Sequence, residues 1–324
     1  VWDAYTGRPV HALRHSVATA RVFDAQVFPD GDRIATIGSD LAAVLWSASS
    51  GRVLLRVDLR RVGQHRAVRV FPEGDRIVTG VSRRGGEGAS VAVVWNASDG
   101  SEVVRVTPGD GIRLIALSPC GGRLVTAGFV AISIWAAGGR GPATVLSNRI
   151  GLPIAVAITA GGARVAASCL SERVYVWDGL TGELLRVLPL RSGRVVDFAF
   201  LAGGARLVAI GSQDALVWDT ESGEETCRLQ SGAGLQRLAA SPGGDVVAAC
   251  SGLPDAEGQR TVVWDAAACH VRAELLSRAR PVSARAAHFT AGELKCAVAV
   301  GPAGSLLGQL PRRARDRRKK KRKK

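Results

Sequence analysis

Residues that could perform catalysis are scattered along this 324-residue sequence and do not form a known arrangement. A serine nucleophile, a phosphate-binding loop and a zinc protease each have a short motif: Gly-x-Ser-x-Gly, Gly-x-x-x-x-Gly-Lys-Ser/Thr and His-Glu-x-x-His. None of these occurs, and the Gly-rich stretch at 138–146 precedes a strand-like segment instead of a helix. The five histidines do not by themselves identify a general base. We therefore predict that the chain is not an enzyme and takes no cofactor or small-molecule substrate.

The six cysteines lack the spacing of a metal site. No two of them form Cys-x-x-Cys, and the histidines show no zinc-ligand spacing around them. We predict no metal site and a reducing, intracellular environment, cytoplasmic or nuclear. No run of 18 apolar residues and no secretory signal is present in this sequence.

Positive charge is concentrated in the last thirteen residues. The formal net charge is +15, and the segment at 312–324 contributes eleven basic residues and one acidic residue. Such a segment cannot bury apolar surface, so we predict a disordered tail from 311 to 324. It could direct nuclear or nucleolar import or contact RNA or DNA unspecifically, because no aromatic side chain is interleaved for base stacking. An inert solvated end is the alternative, and a membrane contact lacks an apolar anchor. The tail residues considered for these roles are Arg312, Arg313, Arg317, Arg318, Lys319, Lys320, Lys321, Arg322, Lys323 and Lys324.

The rest of the chain consists of a repeated unit. All seven tryptophans recur at gaps of 44, 49, 40, 42, 41 and 46 residues, each ending a short apolar run. A second signature, such as "FPDGDRI" from Phe28 and "FPEGDRI" from Phe71, occurs seven times out of phase with the first. Its Pro and Gly predict tight turns between adjacent strands. Each unit is therefore predicted to hold four strands, with the tryptophan near the end of the third.

These features resemble the WD40 β-propeller family over about residues 1–310. The pairs Trp177-Asp178 and Trp218-Asp219 carry the resemblance with Trp2-Asp3 and Trp264-Asp265, and the degenerate copies at Trp46, Trp95 and Trp135 extend it. The resemblance implies an all-β, seven-bladed propeller of four-stranded antiparallel blades. Six turns are followed by a tryptophan, whereas the seventh, at Thr290, is not. We expect residues 9–14 to pair with the strands of 284–310, because an open ring would expose unpaired edges. A torn piece of a longer array is the alternative.

In that family a repeat links a His, a Ser or Thr, an Asp and the Trp by buried hydrogen bonds. The corresponding residues near the first complete repeat are His15, Thr36 or Ser39, Asp40 and Trp46. Other repeats lack the His, although Asp214 could keep the hairpin position before Trp218. We read all of these residues as structural. Arginines that recur just after the turns, such as Arg164 and Arg206, are expected to be solvent-facing.

A propeller of this connectivity gathers two sets of loops on one face. The loops at 82–90 and 251–260 are expanded, and the inter-blade segment 60–66 lies beside the first of them. Loops carry recognition because they vary on a rigid scaffold, and arginine forks suit carboxylates or phosphates. Exposed arginine from compositional bias is the competing interpretation. The candidate partner-binding residues are Arg60, Arg61, His65, Arg66, Arg83 and Arg84.

The sequence thus predicts a non-catalytic scaffold that binds protein partners within a larger protein or assembly. One alternative is a nucleic-acid-associated propeller anchored by the tail, similar to WD40 proteins of ribosome assembly. Another is a sensing array following a signalling NTPase domain. Because methionine is absent, even at position 1, we expect that the chain begins inside a longer reading frame.

Overall fold

The computed structural model describes most of the chain, and the described part is all-β. It covers residues 10–15, 20–60, 65–81, 90–108, 111–128, 131–139, 144–147, 151–190, 193–211, 214–230, 234–241, 244–251, 259–277, 286–289, 295–300 and 304–309. Apart from one 3-10 turn at Ala202–Gly204, the regular elements in these ranges are strands. No helix among them is long and apolar enough to cross a membrane.

The strands form seven antiparallel sheets that follow one another along the chain, each with its strands in sequence order. Sheet 1 contains β1 (Val22–Val27), β2 (Arg33–Gly38), β3 (Ala42–Ser47) and β4 (Val53–Asp58). Sheet 2 contains β5 (His65–Val70), β6 (Arg76–Val81), β7 (Val91–Asn96) and β8 (Glu102–Val106). Sheet 3 contains β9 (Leu114–Leu117), β10 (Arg123–Ala127), β11 (Ala131–Ala136) and β12 (Thr144–Ser147). Sheet 4 contains β13 (Pro153–Ile158), β14 (Arg164–Cys169), β15 (Arg173–Asp178) and β16 (Leu184–Pro189).

The remaining three sheets complete the series. Sheet 5 contains β17 (Asp197–Leu201), β18 (Arg206–Ile210), β19 (Asp214–Asp219) and β20 (Glu225–Gln230). Sheet 6 contains β21 (Leu235–Ala240), β22 (Val246–Ser251), β23 (Gln259–Asp265) and β24 (His270–Ser277). Sheet 7 contains β25 (Ala286–Phe289), β26 (Lys295–Val300) and β27 (Gly304–Gln309), three strands within the described residues. The predicted four-stranded antiparallel unit is confirmed for sheets 1 to 6.

The tryptophan has the same register in each of the first six sheets. It lies near the end of the third strand, opposite the second residue of the second strand, as Trp46 lies opposite Ile34 and Trp264 opposite Val247. The second and third strands are buried on both faces, which explains their nearly continuous apolar sequences. Trp177 and Trp218 are only 2% exposed, so truncating either one to Ala would cost about 3–5 kcal/mol.

Consecutive sheets pack face to face through shared cores. The first strand of each sheet contacts the first strand of the next, in an unbroken series from β1 to β25. One core cluster combines Ile37 and Leu45 of sheet 1 with Val68 and Trp95 of sheet 2. Because every hairpin is antiparallel, the second-to-third hairpins and the connections between sheets lie together at one end. We call this the loop end, and the opposite end the turn end.

Arginines at the turn end link neighbouring sheets. Arg206 donates from its guanidinium to the Ala266 carbonyl of sheet 6 at 2.8 Å, and Arg164 donates to the Gly204 carbonyl of sheet 5 at 3.3 Å and also to Thr220. Both are half-buried. The expectation that the recurring arginines face solvent is therefore wrong for these two, because their guanidinium groups reach across to the adjacent sheet.

In sheets 1 to 5 a glycine in the third-to-fourth turn allows close approach to the chain segment that precedes the sheet. At Gly100 of sheet 2, which has φ +73°, a Cβ would lie 3.3 Å from Leu55 Cδ1 on β4. At Gly51 of sheet 1, with φ +68°, it would lie 2.8 Å from His11 Cγ. Residues 10–15 therefore pack against sheet 1 in the same way that β4 packs against sheet 2. The predicted pairing of 9–14 with 284–310 stays a prediction, because residue 9 is outside the described ranges and 10–15 form no strand.

Candidate functional site

A buried chain of hydrogen bonds joins His15, in the segment 10–15, to three polar side chains of sheet 1. Trp46 donates from Nε1 to Thr36 Oγ1 at 2.7 Å, and His15 Nε2 lies 2.9 Å from the same oxygen. His15 Nδ1 lies 2.8 Å from Asp40 Oδ1. When Nδ1–H donates to the carboxylate, Nε2 can accept the Thr36 hydroxyl proton, so each polar group satisfies another. The side chains of His15 and Asp40 are 1% and 2% exposed.

Arg56 compensates the buried charge of Asp40. Its guanidinium donates to Asp40 Oδ2 at 2.8 Å, while His15 occupies the other carboxylate oxygen. Burial by itself raises the pKa of the Asp40 carboxyl, but the hydrogen bonds from Arg56 and His15 outweigh it and the pKa lies below its ordinary value. Asp40 is therefore held as a carboxylate that fixes the histidine ring.

Two neighbouring residues define the space around His15. A Cβ on Gly38 would lie 2.9 Å from His15 Nδ1 and 2.8 Å from Asp40 Oδ1, so this position has no room for a side chain. Ser39 does not join the chain of hydrogen bonds: its Oγ accepts the backbone N–H of Arg21 at 2.9 Å. Of the two candidates from the sequence, Thr36 is the one that contacts Trp46.

Sheets 2 and 3 retain the threonine–tryptophan bond at the same register. Trp95 donates from Nε1 to Thr79 Oγ1 at 2.8 Å, and Trp135 donates to Thr126 Oγ1 at 2.9 Å. Leu59 lies four residues beyond Leu55, as His15 lies four beyond His11, and it is fully buried. An apolar side chain therefore fills the place next to sheet 2 that the histidine fills next to sheet 1.

In sheets 4 to 6 alanine replaces the threonine. The equivalent positions are Ala167, Ala209 and Ala249. In sheet 6 the Nε1 of Trp264 is buried and has no hydrogen-bond partner among the described residues. A buried N–H left unpaired costs about 1–3 kcal/mol, so the repeat has lost stability at this point.

The Asp that follows Trp caps the third-to-fourth turn. Asp178 Oδ1 accepts the backbone N–H groups of Leu180 and Thr181 at 2.8 Å each, and Asp219 caps its own turn in the same way. These backbone hydrogen bonds lower the pKa of both carboxyls below their ordinary value. The Trp-Asp pair therefore combines a core side chain with a turn cap. Asp214 is not in the predicted hairpin but begins β19, where burial raises its pKa.

The four cysteines whose side chains the structure describes lie in three environments. Burial raises the pKa of the Cys169 thiol to about 11, so this thiol stays protonated in the core. Cys120 is an exposed thiol. Cys227 and Cys269 form a disulfide between sheets 5 and 6. The sequence did not indicate this pairing, because the two residues are 42 positions apart and meet only through the packing of successive sheets.

Of the six residues of the predicted partner-binding patch, the structure describes the side chain of Arg60. Arg60 is 73% exposed in its side chain, and its Nε lies 3.9 Å from Asp58 Oδ1, which also accepts the Arg60 backbone N–H at 2.9 Å. Arg61, Arg83 and Arg84 lie outside the described residues, as does the whole tail. His65 and Arg66 belong to β5, and their side chains are also outside the description.

Polar side chains on the first strands also join neighbouring sheets, which the sequence did not suggest. Asp24 of β1 accepts the Val68 backbone N–H at 3.1 Å and a guanidinium N–H of Arg69 at 2.7 Å. Asp197 of β17 accepts the Leu238 backbone N–H at 3.1 Å. Asp24 and Asp197 hold equivalent positions in sheets 1 and 5. Asp24 is opposite Ile37, the residue after Thr36, and Asp197 is opposite Ile210, the residue after Ala209. Within the described ranges, no group of three His, Cys, Asp or Glu side chains could hold a metal ion.

Comparison with known proteins gives a partial similarity. No protein-family model matches the chain. The chain is similar to Protein HIR1 of Cryptococcus neoformans var. neoformans serotype D, from strain JEC21 and from strain B-3501A. Each is 28% identical over 214 residues, which cover 65% of this chain and 22% of the relative. The matched region therefore spans about a fifth of the length of these curated relatives.

Proposed function

We propose that the chain is a seven-bladed WD40-type propeller that serves as a non-catalytic scaffold for protein partners. The observation that carries the proposal is the unbroken series of contacts between first strands, which brings the loop ends of successive sheets together. The polar side chains of sheet 1 are used internally, since His15, Thr36 and Asp40 bind one another and Trp46. Such a framework presents variable loops on a rigid support.

We propose further that residues 9–14 complete sheet 7 and close the ring. The contact of His11 with Gly51 supports this, because it repeats the contact of β4 with Gly100. Leu13 also packs against Val44 and Trp46, as an outer strand of the preceding sheet would. A structure determination that shows 9–14 paired with anything other than the strands of 284–310 would contradict closure.

The binding surface is proposed to be the loop end around Arg60. Asp58 and Arg60 are both well exposed there, and the expanded loop at 82–90 belongs to the neighbouring sheet. Leu170, at the tip of the hairpin between β14 and β15, is 56% exposed and adds an apolar contact on the same end.

The test is affinity purification of the chain with partners identified by mass spectrometry. Arg60, Arg61, Arg83 and Arg84 are changed together to Glu, and Arg52→Glu serves as the control because Arg52 is exposed at the turn end. We expect the amount of each partner captured by the loop-end variant to fall at least tenfold. Loss of an interface hot spot typically costs more than about 1.4 kcal/mol of binding free energy, which corresponds to a tenfold weaker affinity. The control variant should keep them. Equal retention by both variants would remove the loop end from consideration.

The basic tail supports a second candidate, a nucleic-acid-associated propeller in the nucleus or nucleolus. Its eleven cations would bind phosphate in a salt-dependent manner. Repeating the purification without residues 312–324, before and after nuclease treatment, separates the two functions. Partners that depend on the tail or on nucleic acid would favour the second function, whereas partners that survive both treatments favour the scaffold. We also keep the proposal that the propeller is the sensing part of a signalling NTPase, in which a separate domain would carry the NTPase activity.

A further inference from the structure

Sheets 5 and 6 contain a cysteine pair at a contact that glycine makes in the other sheets. Cys269 lies in the third-to-fourth turn of sheet 6 at φ +56°, and Cys227 lies on the fourth strand of sheet 5. Their Cα atoms are 5.7 Å apart, within the ordinary range for a disulfide. Cys227 is buried in the core shared by the two sheets, whereas Cys269 is exposed.

The same contact recurs along the chain without sulfur. The turn residues equivalent to Cys269 are Gly51, Gly100, Gly139, Gly182 and Gly223, all at positive φ. Three of these glycines face Val104, Thr144 and Arg186, which lie on the fourth strand of the preceding sheet. On that strand each of the three is opposite the residue that precedes the tryptophan of the third strand. Cys227 has the same position, opposite Val217. Both members of this recurring contact are cysteine at one interface of the series.

We propose that the Cys227–Cys269 disulfide is a redox-sensitive link that fastens sheet 6 to sheet 5. The inference is independent of the scaffold function. Reduction needs a thiol reductant, such as a cellular monothiol or dithiol. Its thiolate attacks the exposed Cys269 Sγ, the S–S bond breaks, and the electron pair leaves on Cys227 Sγ, which then takes up a proton. A second thiol attacks the mixed disulfide on the reductant's sulfur, which releases the Cys269 thiol and oxidised reductant.

Reduction would loosen the turn as well as the link. Cys269 occupies a left-handed backbone conformation that residues with a Cβ rarely adopt, and in sheets 1 to 5 glycine adopts it. Once the covalent bond is lost, Asp265 still caps the N–H groups of Ala267 and Ala268, but residue 269 is no longer tied to β20 and can leave its left-handed conformation. We expect the local opening of this turn, β20 and β24 to increase, while sheets 1 to 4 keep their protection.

The test is hydrogen exchange of the full chain in oxidised and reduced glutathione buffers, combined with thiol alkylation and mass spectrometry. Cys227 and Cys269 should resist alkylation in the oxidised buffer and become reactive together, while the exposed Cys120 reacts in both. Exchange at 225–230 and 266–277 should rise about tenfold or more on reduction, because the 42-residue loop is no longer closed.

A matched variant keeps the proposal open to refutation. Cys269→Gly restores the turn residue of the other sheets and should fold, with exchange that no longer depends on the redox buffer. Independent alkylation of Cys227 and Cys269 in the oxidised buffer would overturn the proposal. An exchange pattern that is the same in both buffers for the native chain would also overturn it.

Discussion

Replacing His15 with Ala tests whether the buried polar chain of sheet 1 stabilises the fold. The variant loses the hydrogen bond to the Asp40 carboxylate, worth about 1.5–3 kcal/mol, and the bond to Thr36, worth about 1 kcal/mol. The expected loss is therefore about 2.5–4 kcal/mol, a large share of the roughly 5–15 kcal/mol that stabilises a typical domain. For a chain of this size, about 2 °C per kcal/mol gives a fall in Tm of about 5–8 °C.

The assay is thermal unfolding of the purified chain followed by circular dichroism, with partner capture measured in parallel. His270→Ala is the control, because His270 is exposed on β24 and should leave Tm within about 1 °C. A double-mutant cycle with Thr36→Val should show a coupling of about 1 kcal/mol between the two positions. An unchanged Tm for His15→Ala, or full additivity in the cycle, would refute the assignment of the network. Loss of partner capture in a folded variant would instead give His15 a binding role.

Two further predictions concern other sheets. Ala249→Thr should supply the acceptor that Trp264 Nε1 lacks, and it should be about 1 kcal/mol more stable than the isosteric Ala249→Val in chemical unfolding; the reverse order would contradict the equivalence with Thr36. The stability that the Asp178 cap contributes should be fully present above about pH 4, the pKa of Asp in the unfolded chain. It should be lost as the pH falls through the lowered pKa of Asp178 in the folded protein. Asp178→Asn keeps an acceptor for the turn but cannot titrate, so its acid unfolding curve should be shallower; identical curves would show that this cap does not contribute.

The extent to which the sequence predicts this molecule depends on how local each feature is. The tryptophan spacing and the Pro-Gly turns are local signals, and they led to the four-stranded antiparallel units that sheets 1 to 6 show. The sequence could not distinguish Thr36 from Ser39, because that choice depends on the register of β2 against β3. It did not reveal the contacts of Arg206 and Asp24 with the next sheet, since residues 44 to 60 positions apart meet only after the sheets stack.

The polar network of sheet 1 is reduced in the later repeats. Leu59 fills the histidine's place next to sheet 2 and is fully buried, and Ala167 and Ala209 fill the threonine's place in sheets 4 and 5. In sheets 4 to 6 the tryptophan donor remains while its threonine acceptor is gone, and these sheets keep the four-stranded fold, so the fold does not depend on the complete network. Since sheets 4 to 6 lack the threonine, we propose that the network stabilises sheet 1 and serves no activity shared by the sheets. What every sheet from 1 to 6 retains is the register that places its hairpin and its connection at the loop end, and on this ground we propose that partners bind at that end.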